Sequence, residues 1–490
     1  MIISDKIYIK TSELGNRLQD LCKLFTYSNP KYYQLKRLKL SIRNVPDTLY
    51  NYKIIPIKGE QTLVLPRGSK EKVFSFFNEY NIPFRYLDET LLLPEIDVNL
   101  HPSTILEQQQ HELINKLADN TSGLYVLPCG AGKTIAALGL IAKLKQPSLV
   151  VVHEHRLRTQ WSNEIKSRLT GNFKLGRMDG DKKVDGDIVI GLVQTLYNII
   201  DNDPEYFNKF GFIIVDECHR VPTKTFLNVL NNTYSRYRYG ITATPERKDG
   251  MHIILYDVIG NVLGKLSESE IKHRITDFEY KFINTNVEIQ LPMKNRWFNG
   301  KVQDVLDITQ SVTLLTENED RNNLILSNVI KDISIGHFPL VMGDRVDHNK
   351  YMYYKLKDLG YNVVLLIGET RKKLKWEDVR DDTTVDCIVA NTAICAEALD
   401  IPRASSIHLM IPSSNMPKLT QKIGRIRRQI EGKLKPVVYD YVDNLAYMYT
   451  DKGKVNIFLT MKNKRHKHYN NLLQEYYKEV VHNDVVYKDI

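Results

Sequence analysis

Short runs of apolar residues, each bounded by polar turns, recur along most of this 490-residue chain and set its expected architecture. Over residues 1–100 the pattern predicts a small α+β unit. It has a strand near Lys6–Lys10, a helix near Glu13–Leu24, strands near Tyr52–Ile57 and Gln61–Leu65, and a helix near Ser69–Tyr80. A proline-bearing stretch, LLLPEIDVNLHPS, then marks a boundary before a helical spacing of Ile105, Leu113 and Leu117.

Beyond it the runs become continuous: LYVL from Leu124, then Ser148–Val152, Asp187–Leu192, Gly211–Asp216 and Arg238–Thr242. Strands without alternation are buried on both faces, as a parallel sheet with crossover helices requires. A polar, irregular stretch follows, and a second set recurs at Pro339–Gly343, Asn362–Gly368, Asp386–Ala390, Ser406–Ile411 and Pro436–Val442. The expected division is an N-terminal α+β substrate-binding domain (1–100), one α/β lobe (101–270), a connecting segment (271–320), a second lobe (321–450) and a basic tail (451–490).

Composition changes this picture in two ways. The net charge of +10 favours a polyanionic partner, and Asn29–Arg43, NPKYYQLKRLKLSIR, sets basic residues beside Tyr32 and Tyr33 in a manner suited to nucleic-acid backbone and bases. A solvated helix or strand face fits that stretch equally well. The five cysteines form no CxxC pair or zinc spacing, and no window reaches 18 apolar residues, so a reducing, cytoplasmic setting without membrane insertion is expected.

The chemistry concentrates at Leu124–Leu144, LYVLPCGAGKTIAALGLIAKL: a strand, a glycine-punctuated turn and a helix. Gly130, Ala131 and Gly132 leave the backbone room to cradle the phosphates of ATP, Lys133 adds a point charge, and Thr134 supplies a ligand for Mg2+. The strict phosphate-loop pattern is not met, because Leu127 stands where its first glycine would be. Asp216 closes the run GFIIVD, where a carboxylate joins Thr134 on the metal, and Glu217 is suited to deprotonate the attacking water.

LPCGAGKT, DECH, TATP at Thr242–Pro245 and QKIGRIRR at Gln421–Arg428, in this order, resemble the superfamily 2 helicases and translocases, and most of all their XPB/UvsW-like branch. That resemblance implies two tandem RecA-like parallel-sheet lobes with a small α+β domain ahead of them. It implies Gln110 as adenine reader, Gln421, Arg425 and Arg428 as catalytic partners at the γ-phosphate, and His219, Thr242 and Thr244 as coupling residues. His155, Arg156, Gln194, Thr195, Arg345 and Thr392 are the implied nucleic-acid contacts. Arg425 and Arg428, three apart, are expected on one face of a short helix. Ala398 stands where the family has glycine.

The resemblance implies a DNA helicase acting on forked, branched or single-stranded DNA, expected as a monomer. A duplex translocase that does not separate strands, or an ATP-switched nucleic-acid scaffold, would use the same parts. The Lys, Asn, Ile and Tyr usage, with 28 Tyr, fits an AT-rich genome such as a phage's.

Overall fold

The computed structural model describes residues 1–37, 41–180, 182–246, 250–298, 301–371, 379–380, 382–392, 394, 401–450 and 453–478. The chain divides into two compact units, Met1–Leu266 and Ser267–Ile490.

The first unit holds two larger sheets and two two-stranded ones. Five strands at its N-terminal end run in the order Lys53–Ile57, Glu60–Pro66, Lys6–Lys10, Ile2–Ile3 and Leu87–Asp88. The helix expected at Glu13–Leu24 is interrupted: Thr11–Leu14 and Leu18–Lys23 flank a tight turn begun by Gly15, whose φ of 50° an α-helix does not accommodate.

The larger sheet has eight strands, with Ser148–Val152 and Phe212–Asp216 paired in parallel at its centre and Tyr237–Thr242 and Ser122–Val126 beyond them. Every residue of Ser148–Val152, Ile188–Leu192 and Phe212–Asp216 is buried, which is why these runs show no polar alternation. Only the edge strand Lys182–Val184, fully exposed, pairs antiparallel. Because the sheet is parallel, the loops after Val126, Val152, Asp216 and Thr242 all emerge at the same strand ends, where open α/β sheets bind ligands.

The second unit centres on a parallel six-stranded sheet in the order Glu279–Asn284, Val437–Val442, Ser406–Leu409, Pro339–Gly343, Cys387–Asn391 and Val363–Leu366. Part of the stretch 271–320 therefore belongs to this sheet: Glu279–Asn284 forms its edge, pairing along its length with Val437–Val442. With one neighbour and one covered face it keeps polar residues at alternate positions, and so reads as irregular in sequence. Met293–Phe298 and Lys301–Leu306 form a hairpin of their own.

Charge is buried here in matched sets. Arg321, on the helix Glu319–Ser334, reaches Asp443 at 2.7 Å, and Arg465, on the helix Ile457–Tyr477, meets both carboxylate oxygens of Asp440 at 2.6 and 2.8 Å. His408 stacks on Tyr439 with ring centroids 4.4 Å apart, and both hydrogen-bond Asp332. Among the described residues no helix is long and apolar enough to cross a membrane.

Candidate nucleotide site and nucleic-acid contacts

Strand Ser122–Val126 leads through Leu127–Gly132 into the helix Lys133–Leu144. Gly130 and Gly132 have φ of 90° and 77°, left-handed values that a side chain would strain. No side chain caps the helix, so its first N–H groups remain available to an anion.

Lys133 Nζ lies 3.2 Å from Glu217 Oε1. Burial alone would drive the proton off Lys133 and onto Glu217, but their mutual attraction outweighs it: the ammonium is held above its ordinary range, and Glu217, also facing His219, is held far below the carboxylate range. Asp216 goes the other way. Burial first, then the neighbouring Glu217 charge, raise it, against the pull of Lys133 and of a 2.8 Å hydrogen bond donated by the Trp161 indole. Two adjacent carboxylates, Asp216 buried and Glu217 half-buried, thus share one ammonium, and a divalent cation accompanying a triphosphate would fit that deficit. Among the described residues no cluster of three His, Cys, Asp or Glu side chains could hold a metal by itself.

Glu217 itself sits at φ 49°, ψ 49°, a conformation that costs on the order of 1–3 kcal/mol for a non-glycine residue and turns its side chain out of the strand direction. His219 Nδ1 lies 3.2 Å from both Glu217 Oε2 and Thr242 Oγ1. Thr242 Oγ1 in turn accepts the Thr244 N–H at 3.2 Å, so acid, histidine and threonines form one continuous array.

Gln110 is buried behind the loop. Its amide donates to the Ala131 carbonyl at 3.2 Å and accepts the Glu107 N–H at 3.1 Å. Thr134 is half-buried at the start of the loop's helix.

The helix His155–Arg168 carries two environments. Trp161, in its middle, reaches Asp216, while at its start His155 and Arg158 meet Asp179 at 2.5 and 3.1 Å. Thr195 is buried and accepts the Gly180 N–H at 2.9 Å, Gln194 beside it is exposed, and Arg156 is half-buried. His155 and Thr195 are therefore joined through Asp179 and Gly180. Sequence reasoning did not assign Trp161, Arg158 or Asp179. The signal for Trp161 was its rarity, one of three tryptophans, six residues after His155.

In the second unit Gln421 and Arg425 lie on the helix Met416–Ile426, but Arg428 lies beyond its end, so the expected shared helical face does not exist. The cause is Arg427: its guanidinium is buried against Glu268 at 2.7 Å and against the Thr276 carbonyl, which draws the chain out of the helix. Arg345 donates to the Thr309 carbonyl at 3.0 Å. Thr392 is half-buried just after the strand Cys387–Asn391, whereas most of the segment that follows, Ala398 included, lies outside the described residues.

A family model described as type III restriction enzyme, res subunit, matches residues 103–247. A protein of Acanthamoeba polyphaga mimivirus named as an ATP-dependent RNA helicase is 27% identical over 457 residues, covering 89% of this chain and 83% of its own. The DNA 3'-5' translocase XPB2 of Sulfurisphaera tokodaii is 30% identical over 227 residues, 46% of this chain and 50% of its own. The chain is thus similar to ATP-dependent helicases and translocases, as its ordered motifs imply.

It is an ATP-dependent enzyme, and its two parallel sheets are tandem RecA-like lobes. The HsdR subunit fragment of a type I restriction enzyme from Vibrio vulnificus shares that fold, with a TM-score of 0.53 over 90% of this chain and 85% of its own at 17% identity.

Proposed function

We propose that this superfamily 2 enzyme couples ATP hydrolysis to translocation on DNA and to unwinding or branch migration of forked or junction DNA. The observation that carries the reading is the buried array Lys133, Glu217, Asp216 and Trp161 beside an uncapped helix start, with His219 and Thr242 leading away from it.

Gly130, Ala131, Gly132 and Lys133 hold the phosphates, and Gln110 fixes the loop from behind through Ala131. Thr134 and Asp216 would hold Mg2+, which would supply charge neutralisation to the triphosphate. Glu217, ionised throughout the neutral range, orients the attacking water and accepts its proton. Arg425 and Arg428, with Gln421, stabilise the charge that develops on the transferred phosphoryl group. His219, Thr242 and Thr244 pass the change at Glu217 toward the strand-binding side. There His155, Arg156, Gln194, Thr195, Arg345 and Thr392 grip the nucleic acid. The domain 1–100 supplies the preference for branched substrates.

The test compares ATP turnover and strand separation on single-stranded DNA, blunt duplex, fork, four-way junction and RNA, for the intact chain and for Lys133→Ala. The expected result is turnover stimulated most by forks and junctions, with separated product strands, and neither activity in the variant. Nucleic-acid-stimulated turnover surviving in Lys133→Ala would sink the site assignment. A second reading, a duplex translocase, draws support from the similarity to XPB2. Stimulation by blunt duplex without product strands would select it.

A further inference from the structure

Thr26–Ser28 and Thr48–Tyr50 pair as a two-stranded base, and the exposed helix Pro30–Arg37 forms the projection that follows its first strand. The helix buries none of its residues, and Lys31, Tyr33, Lys36 and Arg37 all face solvent. No acidic residue occurs between positions 21 and 46. An exposed helix with cations and a half-exposed tyrosine, in a segment whose own sequence holds no acid, is complementary to a phosphodiester backbone.

The base of this projection is fixed to the first RecA-like lobe at one side chain. Asp257, buried on the helix His252–Ile259, accepts from Tyr27 Oη at 2.7 Å, from Asn51 Nδ2 at 2.7 Å and from Lys72 Nζ at 3.1 Å. Leu49 packs against the lobe's core, and a Cβ on Gly250 would stand only 2.8 Å from Pro30 Cγ. Asn29 pins the start of the exposed helix, donating to the Pro46 carbonyl at 2.7 Å and accepting the Lys31 N–H at 3.1 Å.

The helix bearing Asp257 is also tied to the ATP site. Arg238, fully buried in the strand Tyr237–Thr242, donates to the carbonyl of Val258 at 3.1 Å, and the same strand ends in the threonine that meets His219. Glu217, His219, Thr242, Arg238, the Val258 carbonyl, Asp257 and Tyr27 therefore lie along one path of bonds and hydrogen bonds within a single unit.

We infer that the helix Pro30–Arg37 binds the phosphodiester backbone of the nucleic acid, and that Asp257 is the positioning residue through which that contact raises ATP turnover. This rests on the helicase or translocase reading above, in which nucleic acid stimulates the enzyme.

The experiment uses the full chain and labelled DNA and RNA duplexes of one sequence, measuring affinity across a salt series and the ratio of turnover at saturating nucleic acid to turnover without it. Reversing Lys36 and Arg37 to Glu weakens binding by about tenfold or more and lowers the salt slope by about two. Asp257→Asn and Tyr27→Phe leave affinity within about twofold, while the stimulation ratio falls by about fivefold or more for Asp257→Asn and less for Tyr27→Phe. Equal binding of both duplexes assigns the contact to the shared backbone, and preference for one names the natural source.

Unchanged binding after the charge reversal would overturn the surface. An unchanged ratio in both clasp variants would overturn the coupling, as would affinity and ratio falling together, because Asp257 would then only hold the projection in place. Tyr27→Phe removes one hydroxyl and carries the test if Asp257→Asn does not fold. A wild-type enzyme that no nucleic acid stimulates would instead refute the helicase reading, a separate result.

Discussion

Lys133, Asp216 and Glu217 in the first unit, half-buried or buried, and the fully buried Arg321, Arg465, Asp440 and Asp443 in the second are all ionisable groups in or beside parallel sheets. In the second unit each guanidinium has its own carboxylate, and a neutral donor adds to each: Tyr469 donates to Asp440 at 2.8 Å, and Thr285 to Asp443 at 3.1 Å. In the first unit two carboxylates share one ammonium, beside a glycine turn with an uncapped helix start. Burial of charge alone therefore does not mark a site. What marks it is charge left unbalanced where a ligand can complete it, and a matched pair is a structural device.

The difference is open to direct attack. Glu217→Gln removes the base and is expected to lower steady-state phosphate release by about 10²–10⁴-fold. Its melting temperature should hold or rise, because one of two mutually repelling carboxylates is gone. Asp443→Ala does the reverse, stranding a buried guanidinium and costing about 3–5 kcal/mol in urea denaturation. If the double change Arg321→Met, Asp443→Leu proved as damaging as that single one, the description of the pair as a matched structural device would fall.

Trp161→Phe keeps the packing but takes a donor from Asp216. Its expected cost is about 1 kcal/mol, or roughly fivefold in turnover, with a larger dependence on Mg2+ concentration than the wild type shows.

A further prediction concerns pH. His348 is buried, and burial first, then the Arg321 charge, push its imidazole down to about 3 from its usual 6.5. Between those values the unfolded chain binds a proton that the folded one refuses. The stability contribution is therefore complete above pH 6.5 and is lost as pH falls toward 3. Going from pH 7 to pH 5, the wild type should lose about 2 kcal/mol more unfolding free energy than His348→Gln. Equal losses would show that His348 titrates normally in the fold.

Much of the site was legible because its chemistry is local in sequence. Gly130 to Thr134 lie in one turn, Asp216 and Glu217 end one apolar run, and both lobes announce their central strands by continuous burial. Contacts made across the fold were not. Trp161 and Asp216 are 55 residues apart, and nothing in HEHRLRTQW says which carboxylate the indole will meet. Asp257, in HIILYDVI, reads as the one polar residue of an apolar helix, although its three donors come from more than 180 positions earlier. Arg427, between the two arginines that drew attention, redirected the chain by an ion pair to Glu268 that no spacing rule anticipates.

Trp161 has a use apart from catalysis. A fully buried indole whose N–H is bound to the proposed metal-binding carboxylate is a chromophore wired to the reaction centre. On the proposed function, a cation held by Asp216 would weaken that hydrogen bond and shift the ring's excited state. The indole would then be a label-free optical gauge of metal arrival, readable in a stopped-flow cell before any phosphate is released.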